Sequence, residues 1–421
     1  MKFDHALRHP ALISLLFFLF LTTLTPAAFS QNPELDQSIA SYRKGTLIVK
    51  ANPGDQVTVE QLGHEFWFGC AISSSIFNNS ASENDVQMYK EKFLNNFNSA
   101  VPENALKWVS MERHKGHVDH STMDAILQWT EQNHIRIRGH CIYWGIPRMV
   151  QPWLKELSDT ELVDELRKRG ESTTSYYKGR FTEYDLNNEM VHGNYYEERL
   201  GPDITKRMFQ WAHNGDPNAR LFLNDYDILT GVELPAYMAQ IRSLLEQGVP
   251  IAGIGCQGHL HGNTFDRDQL KAALDSLAIF NLPIRITEFN MPGQRSTFYK
   301  DRNLTMTPEQ EEQKAKDLVD YYRICFAHPA VEGILMWGFW ADANWIAASS
   351  LYRSDWSPTP AAQAYHDLVY KEWWTHANGQ ADSDGEYKNR AFYGKYRVTV
   401  NGETRQVDLP KASGKVIVDF R

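Results

Sequence analysis

Between residues 66 and 340 the chain carries eight short runs of aliphatic, aromatic and β-branched residues, and these most constrain its fold. They are FWFGCAI (66–72), SAVPENAL (99–106), IRIRGHCIYW (135–144) and FTEYDLNNEM (181–190), followed by ARLFLNDYD (219–227), IAGIGCQGH (251–259), LPIRITEFN (282–290) and EGILMWGFW (332–340). The segments between them have helical spacing. In MDAILQWTEQN, Met123, Ile126, Leu127 and Thr130 fall at i, i+3, i+4 and i+7, and QEEQKAKDLVDYYRICF repeats this with Ala315, Leu318, Val319 and Tyr322. Strands alternating with amphipathic helices predict parallel βαβ units, because a parallel neighbour can be reached only through a crossover. Eight such units predict an α/β fold, a closed (β/α)8 TIM barrel. The competitor is an open doubly wound sheet, which would usually open on a Gly-rich first turn; no G-x-G-x-x-G follows an early strand.

The 421 residues are enough for one barrel and something small. At the N-terminus Lys2 and Arg8 precede the apolar run ALISLLFFLFLTTL, and PAAFSQ then offers small residues around Ser30. That order predicts a secretory signal peptide over 1–30, and so a secreted protein, extracellular or periplasmic, with no membrane attachment after cleavage. The apolar run is about fourteen residues, short of the ~20 that a membrane span needs. Residues 31–65 read as an N-terminal β segment, with 39–62 alternating like a hairpin around NPGD. Residues 66–375 read as the barrel. HANGQADSDGE, from 376, reads as a polar linker to a strand-like tail with turns at NG and SG, which ends at 421. Neither end has enough strands to bury a sheet alone, so the two are expected to pair into one small accessory β domain; a separate C-terminal module is the alternative.

Four cysteines remain after export: Cys70, Cys141, Cys256 and Cys325. Three sit in predicted buried strands and no C-x-x-C pair exists, so buried free thiols are expected rather than a zinc site or a disulfide framework. The net charge of −9 provides no basic stripe and argues against a nucleic-acid partner. The protein is expected to be a monomer.

The polar residues of the eight runs gather at their C-terminal ends: Glu103 and Asn104, His140 and Trp144, Asn188 and Glu189, Asn224 and Asp225, Gln257 and His259, Glu288, and Trp337. In this barrel that face holds the active site in essentially every characterised enzyme. A strand covered on both faces does not keep an unpaired carboxylate without a large penalty, so Glu189 on the fourth run and Glu288 on the seventh need a use. Strands four and seven face each other across an eight-stranded barrel. Two carboxyls so placed suit glycoside hydrolysis, one as a proton donor with a raised pKa and the other as nucleophile or activator of water. Asn188 would offer its amide to a sugar 2-hydroxyl, and Trp144, Trp337 and Trp345 could wall a sugar cleft or cap the barrel as packing. A lone strand-end Glu serves as readily in a rim ion pair; two in this company favour sugar chemistry. His140, His259, Asp225 and His261 could in principle hold a metal, but no H-E-x-x-H or other metal-spaced pair appears.

The same residues closely resemble glycoside hydrolase family 10, the endo-1,4-β-xylanases. ENALKWVSMERHKGHVDHSTMDAILQW (103–129) resembles the family's Glu-Asn-x-x-Lys-Trp segment, and RGHCIYW (138–144) its Arg-Gly-His segment. YDLNNEM is similar to its Asp-x-x-Asn-Glu, GIGCQGH to its Gly-x-Gly-x-Gln-x-His, ITEFN to its Thr-Glu, and MWGFWADANW to its Trp-Gly…Asp-x-x-Trp. Order and spacing agree over roughly 66 to 375.

The resemblance implies a xylan-cleaving enzyme that works by retaining double displacement, with Glu189 as general acid/base and Glu288 as nucleophile. The sequence itself leaves retention and inversion open. Glu103, Asn104 and Lys107 would hold xylose on the glycone side; His140, Trp144, Asn188 and Gln257 would surround the sugar being cleaved, under Trp337 and Trp345. His259 would hydrogen-bond Glu288, with Asn290 behind it. No metal or organic cofactor is implied. Three positions depart from the family pattern. Gly145 stands where many members have His, Asn290 where Asp is usual, and Tyr184 where Trp commonly precedes the Asp of the acid/base motif. Gly145 bears on substrate preference, so another β-glycan or short oligosaccharides form the second reading, and a non-catalytic xylan-binding protein the third.

Overall fold

Eight parallel strands close on themselves in the computed structural model, which describes residues 32–301 and 303–421. They are β1 (Trp67–Ile72), β2 (Ser99–Pro102), β3 (Arg136–Gly139), β4 (Glu183–Asn188), β5 (Leu221–Asp225), β6 (Gly253–Cys256), β7 (Ile284–Gln294) and β8 (Val331–Met336). They pair in chain order and β8 returns to β1. The predicted signal peptide lies outside the described residues. Every residue of β1, β2, β4, β5 and β6 is buried, as expected where helices cover the outside of a parallel sheet and side chains fill the inside. Helix Ser121–Gln132 buries the four residues its spacing singled out, Met123, Ile126, Leu127 and Thr130. Helix Pro308–Ala327 starts on a reciprocal cap between Thr307 and Gln310 and buries Ala315, Leu318, Val319 and Tyr322 against the barrel. Full burial of a side chain such as Met123, Ile126, Leu127, Leu318 or Val319 contributes about 1.5–3 kcal/mol relative to exposure. Cys70, Cys141, Cys256 and Cys325 are free and buried.

The two ends of the chain build accessory sheets together. Lys44–Lys50 lies between Glu386–Phe392 and Lys415–Asp419, and Gln56–His64 lies between His376–Gln380 and Gly394–Val400, which pairs on to Glu403–Leu409. Leu47, Val49, Val57, Val59, Tyr396 and Val398 share one apolar core between them. Three local expectations are corrected. The strands flanking NPGD do not form a hairpin: they belong to different sheets, and residues 39–43 close the helix Pro33–Arg43. The expected linker contains a strand, His376–Gln380, held antiparallel to Gln56–Glu60. The third run is not continuous: β3 stops at Gly139, and Tyr143–Trp144 pairs separately with Asn187 and Asn188. Among the described residues no helix is long and apolar enough to cross a membrane.

Candidate active site

The side chains of Glu189 and Glu288 open onto the C-terminal mouth of the barrel, and both are almost fully buried. The end of β4 turns sharply there. Glu189 has φ +61°, a left-handed conformation uncommon outside glycine. Its N–H donates to the Asn224 carbonyl at 2.9 Å, and its own carbonyl accepts from the His192 N–H at 3.1 Å. Asp225, at the end of β5, accepts from the Val191 N–H at 2.8 Å and faces His192 Nδ1 at 2.7 Å, which fixes the same turn from below. Strain of this kind persists where surrounding bonds over-determine it, and here it aims a carboxyl into the mouth.

The two carboxyls have opposite surroundings. Glu189 Oε1 accepts from Gln257 Nε2 at 2.8 Å and Oε2 from Trp144 Nε1 at 2.8 Å. Burial raises its pKa and the Glu288 charge raises it further; the two hydrogen bonds oppose this without cancelling it. Glu288 Oε1 accepts from Asn224 Nδ2 at 3.0 Å, and its Oε2 lies 3.1 Å from His259 Nε2. Burial pushes this carboxyl up as well, but the charge of His140, the hydrogen bond and charge of His259, and Lys107 outweigh it and hold Glu288 at about 2. Near neutral pH Glu288 is a carboxylate, while Glu189 favours its proton more than an ordinary carboxyl does.

Behind Glu288 the polar groups form a relay of fixed donors. His259 Nδ1 lies 2.9 Å from Asn290 Oδ1, which also accepts from Trp345 Nε1 at 2.8 Å. Asn290 Nδ2 donates to Ser349 Oγ at 2.9 Å, so its oxygen must face His259. Both ring nitrogens of His259 therefore face acceptors, and only the doubly protonated ring donates to both. His140 Nδ1 sits 2.9 Å from Asp185 Oδ2 and 3.9 Å from Glu288 Oε1.

The remaining expected residues join the same mouth. Lys107 Nζ donates to Asn104 Oδ1 at 3.0 Å and lies 4.8 Å from the Trp144 ring and 5.9 Å from that of Trp337. Burial raises the Glu103 carboxyl against the lowering influence of Lys107 and Asn104. Trp337 meets His140 edge-on at 5.1 Å and Trp345 meets His259 at 4.9 Å. Asn188 is fully buried, its Oδ1 accepting from Asn224 at 2.9 Å while its Nδ2 has no partner among the described residues. A Cβ added at Gly145 would stand 3.3 Å from Asn194 Oδ1 and from the Tyr196 ring, so these residues close the space that a side chain there would enter. Tyr184 is buried against Phe181 and the backbone of Gly139, a packing role. Among the described residues no group of His, Cys, Asp and Glu is arranged to hold a metal.

Sequence reasoning gave no role to Asn224, which bridges Glu288, Asn188 and the Thr287 hydroxyl (2.6 Å). It also passed over the charges beneath the mouth. Arg138 donates to Glu183 at 3.1 Å and Asp185 at 2.5 Å, and Arg285 grips Glu183 through two bonds of 3.0 and 2.9 Å. The signal was present: Arg138, Glu183, Asp185 and Arg285 are charged residues inside otherwise apolar strands, tolerable only when paired.

Residues 59–368 match the family model of glycosyl hydrolase family 10. The chain belongs to this family. It is 36% identical over 371 residues to endo-1,4-beta-xylanase 1 of Arabidopsis thaliana, covering 87% of this chain and 36% of that protein. It is 34% identical over 401 residues to the anti-sigma-I factor RsgI6 of Acetivibrio thermocellus, covering 92% of this chain and 50% of the relative. The chain thus spans half or less of the length of these two relatives. Native xylanase 10B from Thermotoga maritima superposes with a TM-score of 0.64 at 25% identity, over 73% of this chain and 96% of that one. The family 10 barrel accounts for the eight-strand topology, while the accessory sheets use chain from both sides of it.

Proposed function

We propose that this chain is a secreted endo-1,4-β-xylanase that cleaves internal bonds of xylan by retaining double displacement. The observation that carries the reading is the opposite setting of two buried carboxyls at one mouth: Glu189 held by Gln257 and Trp144, with burial raising it, and Glu288 held by Asn224 and His259, with His140 3.9 Å away, which lowers it. An acid and a nucleophile are needed together, and environments that push two carboxyls apart supply both at one pH. Glu189 donates its proton to the glycosidic oxygen as the Glu288 carboxylate attacks the anomeric carbon and the aglycone leaves. Forming the ester removes the Glu288 charge, and with it part of what held the proton on Glu189. The same residue is then suited to take a proton from the water that attacks the anomeric carbon and releases Glu288. The unpartnered Asn188 amide suits the sugar 2-hydroxyl, and Trp144, Trp337 and Trp345 suit the faces of its ring. The relatives named as xylanases support xylan as substrate, and the N-terminal run over 1–30 supports export.

A second reading, a binding unit that senses xylan, draws on the relative named as an anti-sigma factor. Reducing-sugar release from arabinoxylan, barley β-glucan and carboxymethylcellulose separates the readings, with Glu288→Ala alongside. Release from xylan alone, lost in the variant, is expected. Release only from another glycan moves the substrate and points at Gly145; binding of xylan without release favours the sensing unit.

A further inference from the structure

The opposite end of the barrel holds a second built feature. A cavity of about 230 Å³ lies where the strands begin, between the barrel floor and the accessory sheets. Trp67 opens β1, Arg136 opens β3, Arg220 immediately precedes β5 and Arg285 is the second residue of β7; all four line it. From the other side come Arg43, which closes the helix Pro33–Arg43, and Lys411, in the turn before Lys415–Asp419. Five cations therefore face one small space.

The carboxylates that line it, Glu65 and Glu332, are both drawn to Lys411. Glu65 Oε2 accepts the Lys411 N–H at 2.8 Å, and Glu332 lies 3.8 Å from its Nζ. Arg285 is neutralised by Glu183, yet its Nη1 is buried with no hydrogen-bond partner among the described residues. None of Arg43, Arg136 and Arg220 has a carboxylate within 4.0 Å among the described residues. Arg43 donates to the carbonyls of Phe326, His328 and Val331 at 2.6–2.8 Å, and Arg136 to those of His64, Glu65 and Phe66 at 2.7–3.4 Å. Carbonyls satisfy N–H groups but do not neutralise charge. The Arg220 side chain makes no hydrogen bond among the described residues; its guanidinium lies over the Phe222 ring at 5.5 Å. Burial lowers both Arg43 and Arg136 to about 10, and the Arg285 charge presses Arg136 in the same direction; the Glu332 and Glu65 charges at Arg43, and Glu65 and Glu183 at Arg136, oppose the fall without cancelling it. A bound anion would relieve that cost.

We propose that this cavity binds a small tetrahedral oxyanion, phosphate or sulfate, held by Arg43, Arg136 and Arg220, and that the ion ties the accessory sheets to the barrel floor. The space is below the roughly 300 Å³ at which drug-sized ligand pockets begin, which favours a compact ion over an organic ligand. Guanidinium groups suit such oxyanions because their planar donors match two oxygens at once. The site is remote from Glu189 and Glu288 and does not rest on the xylanase reading.

Titration calorimetry of the full mature chain with inorganic phosphate, sulfate and acetate, at constant ionic strength in chloride, tests it. Saturable binding of one phosphate or sulfate per chain is expected, with acetate clearly weaker. Arg220→Gln should weaken phosphate about tenfold or more, as loss of a charge-assisted hydrogen bond implies, while Arg207→Gln on an exposed helix position leaves it unchanged. Circular dichroism verifies folding of each variant, and Arg220→Lys, which keeps the charge but loses the planar pair of donors and is expected also to weaken binding, serves if Arg220→Gln does not fold. No saturable phosphate binding, equal affinity for acetate, or equal losses in the Arg220 and Arg207 variants would overturn the proposal.

Discussion

Replacing Gln257 by Met keeps the length of the side chain and removes the one donor to Glu189 Oε1, a bond of 2.8 Å in a buried site. That bond favours the charged form of Glu189, so its loss must raise the carboxyl further. A hydrogen bond to a charged group is worth ~1.5–3 kcal/mol, and one pH unit corresponds to about 1.4 kcal/mol. The expected rise is therefore about 1–2 units; the Trp144 bond to Oε2 remains and limits it. If Glu189 is the acid, activity falls on the alkaline side as it loses its proton, and that limb should move up in pH by this amount. The limb of kcat/KM reports the free enzyme. Contact between Gln257 and the sugar would lower the height of the profile without moving its limb. A carbon-13 titration of the glutamate carboxyls reads the same shift without turnover. The partners of Glu288, namely Asn224, His259 and His140, are untouched, so its titration should stay in place. An alkaline limb that stays put or moves down refutes the assignment of that limb to Glu189.

Other expectations follow from the same contacts. Asn290→Asp places a charge 2.9 Å from His259 Nδ1, which favours the imidazolium form of that ring, so the pH profile should change with activity retained; an unaltered profile counts against it. Lys314 is buried and donates to the carbonyls of Ala348 and Ser350, and burial lowers it from 10.5 to about 8. The unfolded chain then binds the extra proton between about 8 and 10.5, so the wild type should gain stability over Lys314→Met across that window, by on the order of 3 kcal/mol; denaturant midpoints measured at both ends check the sign. Phe326 is fully buried, stacked on Trp373 at 4.1 Å and near Phe392 at 6.1 Å where barrel meets accessory sheet, so Phe326→Ala should cost ~3–5 kcal/mol in denaturant unfolding, and a loss below about 1 kcal/mol contradicts that packing.

The barrel was legible because its strands are buried on both faces, which leaves near-continuous apolar runs ending in polar tips. Met123, Ile126, Leu127 and Thr130 were legible for the complementary reason: a helix packed on such a sheet buries one stripe. Pairing in the accessory sheets was not. Alternation marks Lys44–Lys50 and Gln56–His64 as strands, but their neighbours lie more than three hundred residues away, and nothing local in NPGD distinguishes a hairpin from a crossing between sheets. His376–Gln380 escaped because an edge strand can be built from HANGQ when its partner supplies the ladder. Asn224 shows the limit for sites. Its position at a strand tip was visible, but a bridge between Asn188 and Glu288 depends on a register set by three strands at once.

The measurement that bears most directly on the central claim is trapping with a 2-deoxy-2-fluoro xylobioside carrying an activated leaving group, followed by mass spectrometry of the digested protein. The fluorine slows both attachment and release of the sugar, and the activated leaving group restores attachment alone, so a true nucleophile keeps its label. Time-dependent inactivation is expected, with one sugar on the peptide that contains Glu288, and slowed release of that sugar when Glu189 is replaced by Ala. A label on any other residue, or turnover of xylan with no covalent adduct and the opposite anomer as first product, would contradict it.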